Sequence, residues 1–257
     1  MDNRTLDITT EDGVADAYLV RPDGAGPWPG VLVYQDAFGL RPRLFEMADR
    51  IAEQGYVVLV PNLFYRAGRA PLFDLAGMQD PEQRGPIFDR IMPLIMQLTP
   101  ELIIRDSKAF LDFLTAQEGV APGPVGIVGY CMGGLNALRT IEAFPDRIAA
   151  LGSFHAGRVV TDDPDSAHLA VGRITGEVYF AHADNDSSMT PENVAELEAA
   201  LDAAGVTYGS EVYEGAPHGF TMADSASYNE AGEKRHWVNL FALLERALPH
   251  AAAGAGK

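Results

Sequence analysis

The sequence predicts an α/β fold: a mostly parallel central sheet with helices on both faces and an antiparallel hairpin at its N-terminal end. Three observations carry that expectation. From residue 31 onward short apolar runs alternate with longer amphipathic segments, the βα rhythm of a parallel sheet. Several of those runs are apolar throughout rather than alternating, as strands covered on both faces are. Two alternating stretches around an Asp-Gly pair come before them, which is the pattern of a hairpin.

Taken in order, Thr5 to Thr10 and Val14 to Val20 flank Glu11-Asp12-Gly13 and form the hairpin. The breaker run Arg21 to Gly30 ends it. Strands follow at Val31 to Tyr34, Tyr56 to Val60, Val125 to Val128, Ile148 to Ser153, Val178 to Ala181 and Tyr208 to Tyr213. Helices are expected at Leu44 to Gln54, Glu101 to Gln117, Gly134 to Phe144, Pro191 to Ala204 and Glu233 to Leu248. Thr190 before Pro191 reads as an N-cap followed by proline at the first helical position. Two segments break the rhythm. Residues 61–100 are too long for an ordinary connection and carry six prolines, so they read as a lid-like excursion over the carboxyl edge of the sheet. Arg158 to Gly176, polar and Asp-rich, reads as a solvated loop.

With 257 residues, 47% of them hydrophobic, the chain can bury a core without staples, and residues 1–250 are expected to form one domain. The small-residue tail, 251–257, is expected to be disordered. One cysteine cannot pair within the chain, so a disulfide scaffold is excluded and Cys131 calls for an explanation in packing or reactivity. Acidic residues outnumber basic ones by 36 to 19, a formal charge of −17 that repels polyanions and argues against nucleic acid as a partner. The first residues lack a basic start leading into an apolar run, and no apolar stretch is long enough to span a bilayer, so a cytoplasmic protein with no membrane partner is expected. It would act on a small molecule as a monomer or homodimer.

The most informative stretch is Pro124 to Gly134, a strand running into Gly129-x-Cys131-x-Gly133 and then a helix. This is the shape of a nucleophile elbow with Cys in place of Ser. Its glycines permit a turn tight enough to push the side chain out above the sheet, where the helix N-terminus favours a thiolate or an oxyanion. The competing reading makes Cys131 a small buried hydrophobe. A cysteine nucleophile needs a base and an orienting acid, which follow it in that chain order reversed, acid then histidine. After the strand ending at Ala181 come Asp184 and Asp186, and after the one ending at Tyr213 comes His218 between Pro217 and Gly219. Either aspartate could serve, and each of the three could equally be a solvated loop residue or a cap. The remaining histidines show no metal-ligand spacing, so no metal is expected. Ser107 and Ser153, as rival nucleophiles, lack flanking glycines.

Gly129-Tyr-Cys-Met-Gly-Gly134, Gln35-Asp-Ala-Phe-Gly39, Gly55 to Pro61 and the Pro217-His-Gly-Phe220 loop resemble the dienelactone hydrolase (carboxymethylenebutenolidase) family over about residues 5–248. The resemblance implies the α/β-hydrolase fold, no cofactor, and a triad of nucleophile Cys131, acid Asp186 and base His218. It prefers Asp186 because Asp-x-x-Met-Thr matches the family's Asp-x-x-Val-Pro, and it makes Asp184 structural. It further implies an oxyanion hole from the backbone N–H groups of Ala37 and Met132, and a pocket lined by Asp36, Phe38, Tyr130 and His155. Asp36 stands where well-known members have a glutamate paired with the resting thiol; one methylene shorter, it could instead cap the turn before Phe38-Gly39. One departure concerns the substrate carboxylate. The arginine that holds it in the family is here Met222, which cannot do so. A second arginine in the excursion would correspond to Arg84 or Arg90. The expected activity is hydrolysis of an activated ester or lactone through a thioester acyl-enzyme. The alternative is a catalytically silent fold serving as a ligand-binding protein or thiol redox sensor.

Overall fold

A computed structural model describes residues 1–75 and 81–248, apart from the side chains of Pro81, Gln83 and Arg84. The tail at 251–257 therefore lies outside the described residues, as does the Arg84 side chain. Eight strands form one sheet: β1 (Asp2–Thr10), β2 (Gly13–Arg21), β3 (Gly30–Tyr34), β4 (Val57–Pro61), β5 (Val125–Tyr130), β6 (Ile148–Phe154), β7 (Glu177–Ala183) and β8 (Tyr208–Tyr213). Their spatial order is β1-β2-β4-β3-β5-β6-β7-β8. The β1–β2 and β2–β4 pairs are antiparallel and all others are parallel. The hairpin pairs Thr10 with Gly13, leaving Glu11 and Asp12 as the turn.

Among the described residues six α-helices accompany the sheet: α1 (Pro42–Ala52), α2 (Pro81–Gln97), α3 (Pro100–Thr115), α4 (Met132–Ala143), α5 (Pro191–Ala204) and α6 (Glu230–Ala247). The apolar runs are continuous because each inner strand supplies two cores, one residue at a time. In β3, Leu32 and Tyr34 join Phe110, Leu111, Leu138 and Leu197 of α3, α4 and α5. Val31 and Val33 point the other way, to Leu44, Met47 and Ile51 of α1 and to Leu240 and Leu244 of α6. All four β3 side chains are fully buried. Fully burying an aliphatic side chain of this size is worth about 1.5–3 kcal/mol, so a one-residue slip of β3, which would swap its two faces, is strongly disfavoured.

Within residues 61–100, α2 occupies Pro81–Gln97 despite Pro86 and Pro93 inside it. One expectation needs correction: the segment 158–176 is not a solvated loop. Val159, Val160, Ala167 and Val171 are buried, and a 3-10 helix over Ala167–Arg173 packs against α4 and α5. Among the described residues no helix is long and apolar enough to cross a membrane.

Because the chain passes from β3 outward to β4 and then returns to β5 on the other side, the carboxyl ends of β3 and β5 open a crevice where the winding reverses. This is where α/β sheets place their ligands. The loops after β3, β5, β6, β7 and β8 all meet there.

Candidate active site

Cys131 follows β5 directly and precedes the first residue of α4, with φ 54° and ψ −122°. A side chain with positive φ is strained, and the neighbouring glycines show why the turn must be so tight. A Cβ built on Gly133 would lie 2.4 Å from the carbonyl oxygen of Gln35, and one on Gly129 would lie 2.1 Å from that of Gly133. The elbow thus has α4 pressed against the end of β3, with the cysteine partly exposed at its apex.

His218, on the loop after β8, places Nε2 3.0 Å from Cys131 Sγ. Its Nδ1–H donates to Asp186 Oδ2 at 2.6 Å, which leaves Nε2 to face the sulfur. Asp186 is itself held: its Oδ1 accepts from the Ser188 N–H at 2.9 Å and from the Ser188 hydroxyl at 2.7 Å. Burial would raise the Asp186 carboxyl, but the bonds from His218 and Ser188 prevail and hold it down to about 2. For His218, burial opposes the charge, yet the hydrogen bonds to Asp186 and Cys131 outweigh it and raise the imidazole to about 10. At neutral pH the ring therefore carries its proton beside the sulfur. Asp184 does not reach the imidazole; its Oδ2 accepts from the Gly215 N–H at 2.9 Å and ties the loop after β7 to the one after β8.

Cys131 and His218 border a cavity of about 190 Å³ whose lining includes Ala37, Phe38, Phe88, His155 and Met222. Phe88 comes from α2, its ring centroid 5.9 Å from that of Phe38, and contributes to the cavity wall. Ala37 and Met132 stand on the two sides of the Cys131 elbow, one on the loop after β3 and the other opening α4. His155 is buried, with positive φ, its Nε2 2.8 Å from the Thr221 hydroxyl. Burial first, then the charge of His218, lowers its proton affinity well below the usual histidine value, so it stays neutral.

Tyr130 does not line the cavity. It is wholly buried on the α6 side of the sheet, its hydroxyl 3.0 Å from His236 Nε2 and its ring stacked on Phe154. Side chains alternate along a strand, so the residue before the elbow points into the core. Ser107 is buried too, bonded to Tyr34, Thr140 and the Ile103 carbonyl. Arg90 is exposed against Phe73 rather than in the cavity.

Asp36 lines the cavity but its carboxylate is taken up elsewhere. Oδ1 accepts from the Phe38 N–H at 3.1 Å, the turn cap, and both oxygens receive Arg41 at 2.6 and 2.9 Å. Sequence reasoning missed Arg41, which is buried between Asp36 and Asp224. Its only local signal is the Pro42 after it, which marks a helix start and says nothing of partners across the fold. Among the described residues no group of three or more His, Cys, Asp or Glu is arranged to hold a metal ion.

A mostly parallel eight-stranded sheet, with this elbow after a central strand and a His–Asp pair on the loops beyond it, defines an α/β-hydrolase fold. More narrowly, the chain belongs to the dienelactone hydrolase family, whose model matches residues 15–248. It is 26% identical to a Synechocystis protein named "Putative carboxymethylenebutenolidase", over 90% of this chain and 91% of that one. A Klebsiella pneumoniae structure titled as a dienelactone hydrolase, itself called putative there, superposes with TM-score 0.81 at 23% identity, covering 95% of this chain and 98% of the other. The dienelactone hydrolase-like promiscuous phosphotriesterase P91, from metagenomic libraries, matches at TM-score 0.77 and 25% identity over 96% and 98% of the two chains.

Proposed function

We propose that this member of a hydrolase family cleaves neutral activated esters or lactones, with Cys131 as nucleophile, His218 as base and acid, and Asp186 orienting the imidazole. The observation that carries the reading is the continuous line from Asp186 through His218 to Cys131, at 2.6 and 3.0 Å. The sulfur, having given its proton to His218, attacks the acyl carbon while the Ala37 and Met132 amides receive the developing oxyanion. The tetrahedral adduct collapses to a thioester, and the leaving oxygen takes the proton from His218. Water then gives a proton to the freed Nε2 and attacks the thioester, releasing the acid and restoring the imidazolium–thiolate pair. A thiolate is a better leaving group than an alkoxide, so the first adduct reverts unless the substrate's own leaving group is good. Activated esters, enol lactones and thioesters are favoured over amides. A thiol redox sensor would have no use for the Asp186–His218 pair.

Preference for a neutral acyl group follows from the lining. Among the described residues no Lys or Arg borders the cavity. Arg41, the nearest buried cation, spends its donors on Asp36, Asp224 and the Gly39 carbonyl. Cys131→Ala is expected to abolish hydrolysis of p-nitrophenyl acetate, and iodoacetamide to do the same to the wild type. Full activity in the alanine variant would reject the nucleophile. With the same leaving group, kcat/KM for the neutral acetate should exceed that for the anionic mono-p-nitrophenyl adipate at least about tenfold, the scale of one unpaired charge. Equal or reversed values would remove the neutral preference while leaving the nucleophile untouched.

A further inference from the structure

We propose that Arg41 is a positioning residue for this chemistry, a clamp that joins the loop carrying the Ala37 amide to the loop carrying His218 and so fixes the oxyanion site relative to the nucleophile. The proposal rests on the Cys131 reading above. Arg41 immediately precedes α1, and its side chain is only 6% exposed. Nη1 donates to Asp36 Oδ1 at 2.6 Å and to the Gly39 carbonyl at 3.1 Å. Nη2 donates to Asp36 Oδ2 at 2.9 Å and to Asp224 Oδ1 at 3.1 Å, with Met222 Sδ at 3.4 Å. Nε donates to Asp224 Oδ2 at 2.7 Å. One guanidinium thus makes two forked contacts with carboxylates, one on each loop.

The geometry matters because the two loops follow different strands, β3 and β8, and Arg41 bonds to both. Ala37 sits between Asp36 and Gly39, both gripped by Nη1, and the Asp36 carboxylate also accepts from the Phe38 amide. On the far side, Asp224 and Met222 lie just beyond His218, in a chain of turns where the Met222 amide bonds the Gly219 carbonyl. Arg43, the second residue of α1, adds a parallel link by donating to the Thr221 carbonyl at 2.8 Å. Forked bonds to both carboxylates plus one to the carbonyl reach five acceptor oxygens, which matches the five N–H groups of a planar guanidinium and exceeds the three of a lysine ammonium. An oxyanion donor acts only if it is already in place when charge develops, and misplacement by about 1 Å can cost on the order of 100-fold. Since its donors are committed within the protein, Arg41 serves geometry rather than substrate charge.

The test separates placement of the oxyanion site from activation of the thiol. In Arg41→Ala and Arg41→Lys, kcat for p-nitrophenyl acetate is expected to fall at least about tenfold, with KM changed less than threefold. Alkylation of Cys131 by iodoacetamide, which needs the His218 pair but no oxyanion site, should stay within about twofold of wild type. Free guanidinium at millimolar concentration should restore part of kcat in Arg41→Ala and nothing in Arg41→Lys. Asp224→Ala, whose removed carboxylate is partly exposed, retains the Asp36 fork and should show a smaller loss of kcat with alkylation again unchanged. It serves if the Arg41 variants fail to fold. Wild-type kcat in Asp224→Ala and in any Arg41 variant that folds would overturn the clamp. So would a proportional fall in kcat and alkylation. Activity retained by Cys131→Ala would instead remove the reading beneath it.

Discussion

At Cys131 the backbone accepts a positive φ that a cysteine on its own would avoid, and the surroundings must over-determine it. Gly133 is the residue that makes this possible, since any Cβ there would meet the Gln35 and Tyr34 carbonyl oxygens at 2.4 and 2.6 Å. Both are backbone atoms and cannot swing aside. Gly133→Ala is therefore expected to push α4 away from the end of β3, moving the elbow and the Ala37 loop apart. A loss of about 100-fold in kcat is the expected scale for such a displacement. A p-nitrophenyl acetate assay on folded variant checks it, and activity within twofold of wild type would show that the close approach is not needed. These glycines, the cysteine between them, and an order of nucleophile, acid and histidine are legible in the sequence because each depends on local spacing or on chain order; chain order leaves Asp184 and Asp186 both open, and only the family resemblance prefers Asp186. Arg41 is not legible there, because its meaning lies in Asp224, which is 183 residues away. Tyr130 is a related case: the resemblance implies that it lines the pocket, whereas strand alternation sends it to the opposite core.

Among the elements, those with a clear period and a cap were the readable ones. The expected α5 coincides with the helix at Pro191–Ala204, where the Thr190 hydroxyl accepts from the Asn193 N–H and Asn193 Oδ1 accepts from the Thr190 N–H. This reciprocal box satisfies two donors that the first helical turn would leave unpaired. Thr190→Ala is expected to cost about 1 kcal/mol, lowering Tm by about 2–4 °C for a chain of this size. Activity should hardly change, because Asp186 is held by Ser188 rather than by the cap. Thermal melts and ester assays on the same preparation would check both halves. By contrast, α2 was hidden by Pro86 and Pro93, since an internal proline ordinarily ends a helix. The 158–176 segment was hidden by Asp162, Asp163 and Asp165, whose polarity masked the few apolar residues that reach the core.

Across the whole molecule, buried titratable groups set opposing pH limits. Loss of hydration lowers the proton affinity of His155, His182 and His236, His182 to about 4 and the other two well below 6.5. Folded, they are neutral where the unfolded chain would bind protons, so each withdraws stability as pH falls below about 6.5. Two groups act in the other direction. Burial raises Glu142 to about 8, against partial relief from Arg139 and Arg173, and His218 stands at about 10. A raised folded-state value gives stability that is complete below the unfolded value and is lost as pH climbs toward the folded one. For Glu142 that loss runs from about 4.5 to 8, and for His218 from about 6.5 to 10. Below 6.5 the three histidines outweigh Glu142; above it, Glu142 and His218 act together. Thermal stability is thus expected to peak near pH 6.5 and to fall on both sides, each group contributing at most ~1.4 kcal/mol per pH unit. Glu142→Gln keeps the shape and removes the titration, and Glu142 Oε1 has no hydrogen-bond partner to lose. The Tm advantage of this variant over wild type should grow from pH 4.5 to 8 and then level off. A difference that does not vary with pH would mean that Glu142 titrates alike in the folded and unfolded chains.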